Sequence, residues 1–148
     1  MKDESATIVN AGLVLQFDCP DLAMSRTTRF AQLTDAEFLD MVQMHLDVLA
    51  DVLRDLPRDR PRLHLCWGNY EGPHNHDIPL QDIIQMVSEA PVGGISFEAA
   101  NPRHAHEWQS FRRISVPDHL VLLPGVIDAC TNYIEHLDLA AQRLPRYA

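Results

Sequence analysis

Four short apolar runs rich in β-forming residues punctuate the chain: "LVLQFD" at 13–18, "RLHLCW" at 62–67, "GGISFE" at 93–98 and "HLVLLPGVID" at 119–128. Helical spacing follows each of them. The clearest case is "TDAEFLDMVQMHLDVLADVL", where Thr34 and Glu37 stand in capping-box spacing and Phe38, Val42, Leu46, Leu49 and Leu53 form one apolar stripe. A second helix is predicted from Pro79, with Ile83, Ile84 and Val87 turned inward. A third is predicted from Asn101 as cap, with Pro102 in the first helical position, and a fourth from about Asn132 to Leu144. "RDLPRDRPR", ahead of the second run, reads as a solvated loop. Strands alternating with helices at this interval predict an α/β fold with right-handed crossovers and a parallel sheet buried on both faces.

Composition narrows the setting. A chain of 148 residues, 46% of them hydrophobic, supports one domain with a real core over 1–148. A net charge of -9 with 12 Lys plus Arg argues against nucleic acid, whose binders need clustered cations. No apolar run approaches the roughly 18 residues of a membrane span, and "MKDESATIVN" is too polar for a signal peptide, so a cytoplasmic protein is expected. Cys19, Cys66 and Cys130 are an odd number and far apart, which favours reduced thiols or a metal over a disulfide framework.

The chemistry gathers at the strand ends. Alternation along a strand puts His64 and Cys66 on one side and Leu63 and Leu65 on the other, so the His-x-Cys pair can offer two ligands to one ion. Zinc takes imidazole and thiolate together, although cysteine is also a common core residue. Glu98 ends the third run, where parallel α/β proteins display functional groups, and Asp18 and Asp128 close the first and fourth runs in the same way. His74 and His76 lie in the turn "GPHNHD" on the same rim, as solvated residues or as a lining of the substrate mouth. Trp67 and Trp108 read as packing residues. His104 joins Trp108 and Phe111 in a core stripe, and His106 faces another way.

Taken in order, "LQFDCPDLA", "HLCWGNYEGPH", "ISFEAANPRHAHEW" and "LLPGVIDACTNYIEH" resemble the carboxyl-terminal catalytic barrel of the cobalamin-independent methionine synthase family. The likeness extends to its short paralogues and to the epoxyalkane:coenzyme M transferases. It implies a partial TIM (β/α) barrel, about four βα units of the carboxyl-terminal half, and a zinc ion held by His64, Cys66 and Glu98. The metal would bind a small thiol substrate, such as homocysteine or coenzyme M, as thiolate for transfer of a methyl or alkyl group from a donor. Asp18 matches the acidic residue that holds the amino group of an amino-acid thiol, and Asp18 with Asp128 are the candidate catalytic carboxylates. The family's last zinc ligand is a cysteine in an Asp-Cys-Gly segment, which does not occur in this sequence. Cys130, at a position where the synthases carry a histidine, is the candidate stand-in. The resemblance thus implies a zinc-dependent thiol methyl- or alkyltransferase, as a shortened homologue or a piece of a longer enzyme. The alternatives are a non-catalytic remnant of that fold and a metal-free barrel of the uroporphyrinogen decarboxylase type.

Four parallel strands are too few to close a barrel of about eight, and unpaired edges invite another chain. A homo-oligomer is expected, with no membrane or nucleic-acid partner.

Overall fold

The computed structural model describes residues 1–69 and 72–148; Tyr70 and Glu71, within the "WGNYEGPH" stretch, lie outside the described residues. The fold is α/β. Strands β1 (Leu15–Cys19), β2 (Pro61–Leu65), β3 (Gly94–Glu98) and β4 (Val121–Gly125) form one all-parallel sheet in the order β1-β2-β3-β4. Helices α1 (Lys2–Asn10), α2 (Asp35–Leu53), α3 (Leu80–Ser88) and α4 (Leu137–Arg143) accompany it, with 3₁₀ segments at Pro20–Leu22, Met24–Arg26, Glu107–Arg112 and Leu144–Tyr147.

Helix α2 starts as the sequence predicts. Thr34 Oγ1 accepts the Glu37 N–H at 3.3 Å, and Glu37 Oε2 accepts the Thr34 N–H at 2.8 Å, so two amides without intrahelical partners are satisfied reciprocally. Its stripe of Phe38, Val42, Leu46, Leu49 and Leu53 is buried, as are Ile83, Ile84 and Val87 of α3.

The sheet is not buried on both faces. One face carries Leu15, Phe17 and Cys19, Leu63 and Leu65, and Ile95, Phe97 and Leu122 into the core shared with α2 and α3. The other carries Gln16 and Asp18, which are exposed, and Arg62, His64, Ser96 and Leu123, which are half-buried. The strand order explains the difference. Each crossover steps to the next strand in the same direction, and when every step is right-handed all the connections return over one face. A doubly covered sheet needs the direction to reverse.

Two predicted helices are corrected. The segment from Asn101 does not continue as an α-helix. Asn101 Oδ1 accepts the Arg103 N–H at 3.0 Å, as a cap would, but turns follow and then the 3₁₀ stretch Glu107–Arg112. The buried His104–Glu107 ion pair at 2.8 Å joins residues three apart, the spacing that a tight 3.0-residue turn aligns. The last helix begins at Leu137 rather than near Asn132, because Glu135 is engaged elsewhere: it accepts the Asp128 N–H at 2.7 Å and pairs with Arg143 at 2.6 Å. The fourth strand stops at Gly125, so Asp128 sits in the following loop rather than at a strand end. Helix α1 has no counterpart in the sequence reading; it buries only Ser5 and Val9, too little to leave an apolar pattern.

At the sheet's two edges, Leu13 and Val14 before β1 and Val121 and Ile127 on and after β4 are exposed. Tyr133, Ile134 and Leu137, farther along the chain, are exposed as well. No helix is long and apolar enough to cross a membrane among the described residues.

Candidate metal centre

The open face of the sheet concentrates the chemistry at the carboxyl ends of its strands. Register pairing sets Asp18 beside His64 and His64 beside Ser96. Cys66 follows β2 on the same side. The ligand atoms of Asp18, His64 and Cys66 all lie within 4.8 Å of one another. A cavity of about 230 Å³ opens beside His64 and Cys66 and is lined also by Ser96, Glu98, Gly125, Ala129 and Cys130, but not by Asp18. Glu98 and Cys130 line the cavity beside His64 and Cys66, but their ligand atoms fall outside the set lying within 4.8 Å of one another, in which Asp18 stands in the place expected for Glu98.

Each is positioned by a neighbour. His64 Nδ1 lies 3.2 Å from Ser96 Oγ on the adjacent strand, which fixes the ring. The Gly68 N–H donates to Cys66 Sγ at 3.3 Å. That contact depends on glycine: Gly68 has φ +87°, and a Cβ there would stand 2.9 Å from Met24 Sδ. Glu98 Oε1 accepts the N–H groups of Ala100 and Asn101 at 2.8 and 3.0 Å, which ties one carboxylate oxygen to the start of the following segment. Cys130 Sγ donates to Asn69 Oδ1 at 2.8 Å, and its N–H donates to Asp128 Oδ1 at 2.9 Å.

Asp128 is buried and faces Asn101, whose Nδ2 stands 3.3 and 3.4 Å from its two oxygens. It holds the loop that bears Cys130 and does not line the cavity. Asp18 is exposed within β1, beside His64. Ser96, Gly68, Asn69 and Arg103 were not singled out from the sequence. Ser96 was legible in part, since it shares the strand parity of Glu98 and hence its face.

Electrostatics favour a cation here. Burial pushes the Cys66 thiol up, and the charges of Asp18 and Cys130 add to this against the opposing Gly68 N–H. Cys130 is also raised, by burial and then by Glu98 and Asp128, with Arg103 opposing. Acidic groups that raise one another mark a negative potential, and a divalent ion reverses its effect by stabilising the thiolates. The donor set of imidazole, thiolates and carboxylate is one that zinc accepts. Cys19 has no part in it: it lies on the covered face, and burial followed by Asp21, Asp18 and Cys66 pushes its thiol up to about 12.

A second cluster lies behind the rim. His74, expected in a solvated or mouth-lining turn, is instead buried with Asp77, His104 and Glu107. His104 is core, as its spacing indicated; burial lowers its pKa, but hydrogen bonds and charge from Asp77 and Glu107 outweigh this and raise it to about 9. Its ring packs on Trp67 at 4.7 Å, and Trp67 Nε1 donates to Ile78 O at 3.0 Å, so Trp67 is a packing residue. Trp108 is half-buried under the Arg112 guanidinium, 4.4 Å from its ring, and His76 and His106 are exposed. No family model, curated protein or solved structure matches the chain.

Proposed function

We propose that the chain is a zinc-dependent thiol methyl- or alkyltransferase of the cobalamin-independent methionine synthase type, its sheet forming about four βα units of a TIM-barrel wall. The observation that carries this reading is the single cavity on the open face that His64, Cys66, Glu98 and Cys130 share. A sheet wound in one direction is how a barrel wall is built, and in such a barrel the open face would be the interior one. His64, Cys66 and Glu98 would hold the metal, with Cys130 as fourth ligand where the family uses a later cysteine.

Zinc in that position supplies the Lewis acidity that keeps a substrate thiol as thiolate near neutral pH, where a free thiol of pKa about 8.5 is mostly protonated. The chain's own residues then orient the reactants. Ser96 holds the His64 ring, and the Gly68 N–H holds Cys66. Asp18, exposed beside them, accepts hydrogen bonds from the amino group of an amino-acid thiol such as homocysteine. Gly125 and Ala129 leave the space in which an alkyl donor meets the sulfur. The exposed apolar edges at Leu13 and Val14 and at Val121 and Ile127 fit contact with further strands, and a homo-oligomer is the form proposed.

The test is cobalt(II) substitution of protein prepared without chelator. A thiolate-to-cobalt charge-transfer absorption is expected, lost in Cys66→Ser and weakened in Cys130→Ala, with alkylation of homocysteine or coenzyme M lost in parallel. Its persistence in Cys66→Ser would overturn the ligand set. Absence of a thiolate absorption in the unaltered protein would overturn the zinc-thiolate reading and favour the metal-free alternative at this cavity.

A further inference from the structure

We infer that His74, Asp77 and His104 form a second divalent-metal site, separate from the cavity on the open face and structural in role. Their ligand atoms lie within 4.8 Å of one another. His74 Nδ1 stands 2.7 Å from Asp77 Oδ2, and His104 Nε2 stands 3.4 Å from the same oxygen. A tetrahedral ion with bonds of about 2.0–2.1 Å holds its ligand atoms roughly 3.3 Å apart, so the two separations bracket what such an ion requires. The side chains of His74, Asp77 and His104 are 3%, 8% and 6% exposed.

One atom points to a ligand. Among the described residues, Asp77 Oδ1 is buried without a hydrogen-bond partner, and His104 Nε2, with no well-aligned hydrogen bond of its own, faces Asp77 Oδ2 at 3.4 Å. Buried polar atoms of this kind are few in folded proteins, and an ion is one of the standard explanations. The other ring nitrogen of His104 is already engaged: Nδ1 lies 2.8 Å from Glu107 Oε2, while Glu107 Oε1 accepts the Leu80 N–H at 2.7 Å. A carboxylate behind an imidazole, held in turn by a backbone amide, is the arrangement that orients histidine ligands toward a metal. It commits His104 to ligation through Nε2.

Charge balance agrees. Asp77 and Glu107 are two carboxylates in a dry setting, and a divalent ion with neutral imidazoles compensates both. Two imidazoles and one carboxylate, without sulfur, suit the zinc and ferrous class of ions. Such an ion ties the loop after β2, which carries His74 and Asp77, to the segment after β3, which carries His104. Both segments feed the rim of the first site: Arg103 NH1 donates to Gly72 O at 2.9 Å, and the Arg103 charge opposes the rise of the Cys130 thiol.

The experiment silences the first site. In the His64→Ala/Cys66→Ser/Cys130→Ala protein, stripped with chelator and titrated with cobalt(II), about one equivalent should bind with ligand-field absorption and no thiolate charge transfer. The histidine imidazole resonances of His74 and His104 should show paramagnetic shifts. Asp77→Asn in the same background should weaken binding at least tenfold. Should that variant fail to fold, the resonance shifts in the parent decide alone. Absence of bound cobalt, or bound cobalt that leaves both imidazoles unshifted, would overturn the site. Because the thiolate ligands are removed, the result is independent of whether the open-face cavity holds zinc.

Discussion

On β2, Leu63 and Leu65 are fully buried in the core, whereas His64 and Cys66, which alternate with them, reach the half-open opposite face. The same alternation runs through β3, where Ile95 and Phe97 pack inward and Ser96 and Glu98 face the cavity. One backbone therefore serves two purposes: the covered face is filled with apolar side chains that hold the fold, and the open face is free to carry ligands at little expense to stability. The two thiols make the contrast sharpest. Cys19 on the covered face is driven up to about 12 chiefly by burial, while Cys66, also raised, stands among acidic groups where a cation would bring it down.

The division predicts unequal mutants. Phe97 is fully buried and packs against Phe111 and Tyr147, with ring centroids 5.0 and 5.4 Å away. Phe97→Ala should cost about 3–5 kcal/mol in denaturant unfolding. His64→Ala, one face away, should change the stability of metal-free protein by less than about 1 kcal/mol while abolishing the thiolate–cobalt signal of a properly formed site. Equal losses in the two variants would show that the open face is covered in solution.

Alkaline pH tests the thiols. Cys19 is raised from 9.0 to about 12, so its protonated form is favoured by the fold. The folded state then binds more protons than the unfolded one between those values, and stability must fall as pH rises. The contribution is complete below pH 9 and lost through about 12, approaching 4 kcal/mol at about 1.4 kcal/mol per unit. A stability curve of the Cys19→Ala protein over this range should be flatter than that of its parent. Cys66→Ser should flatten it too, but less, because Cys66 is also raised and is less deeply buried.

Gly68→Ala probes the join between the faces. With φ at +87° the substitution forces a left-handed residue with a Cβ, about 1–2 kcal/mol, and drives Met24 aside. It also disturbs the N–H that Cys66 Sγ accepts, so loss of cobalt thiolate intensity should accompany the stability loss.

Much of this was legible in the sequence, and what was not has a local cause. The four strands, the α2 capping box and the inward residues of α3 follow from period-2 and period-3.6 patterns, and β2 needed only alternation to put His64 and Cys66 together. The open face was not legible, because half-buried His64, Ser96 and Leu123 do not look different from residues covered by a second helix layer. The segment from Asn101 carries a genuine cap signal, but His104 pairs with Asp77, far away in sequence, and with Glu107 across a tight turn, and these pairings override it. The burial of His74 depends on the same long-range pairing. Its turn composition, Gly, Pro and Asn, described a solvated loop.

Ser96→Ala gives the smallest effect and the finest test. Ser96 touches the proposed ligand and not the metal: its Oγ lies 3.2 Å from His64 Nδ1 across the β2–β3 pairing, so its whole influence passes through the orientation of one ring. Removing a hydroxyl from a half-buried position opposite the core should change unfolding stability by about 0.5 kcal/mol or less. A lost partner behind a ligating histidine lowers metal affinity by roughly tenfold or more, equivalent to about 1.4 kcal/mol. Ser96→Thr keeps the hydroxyl and should restore affinity. The comparison of faces therefore predicts a variant whose fold is nearly unchanged and whose metal binding is not. Competition titration of zinc against a chromophoric chelator, run beside denaturant unfolding, reads both quantities on one preparation. Equal affinity in the serine and alanine proteins would mean that His64 is oriented by something other than Ser96, and a large stability loss would place Ser96 with the residues that hold the core.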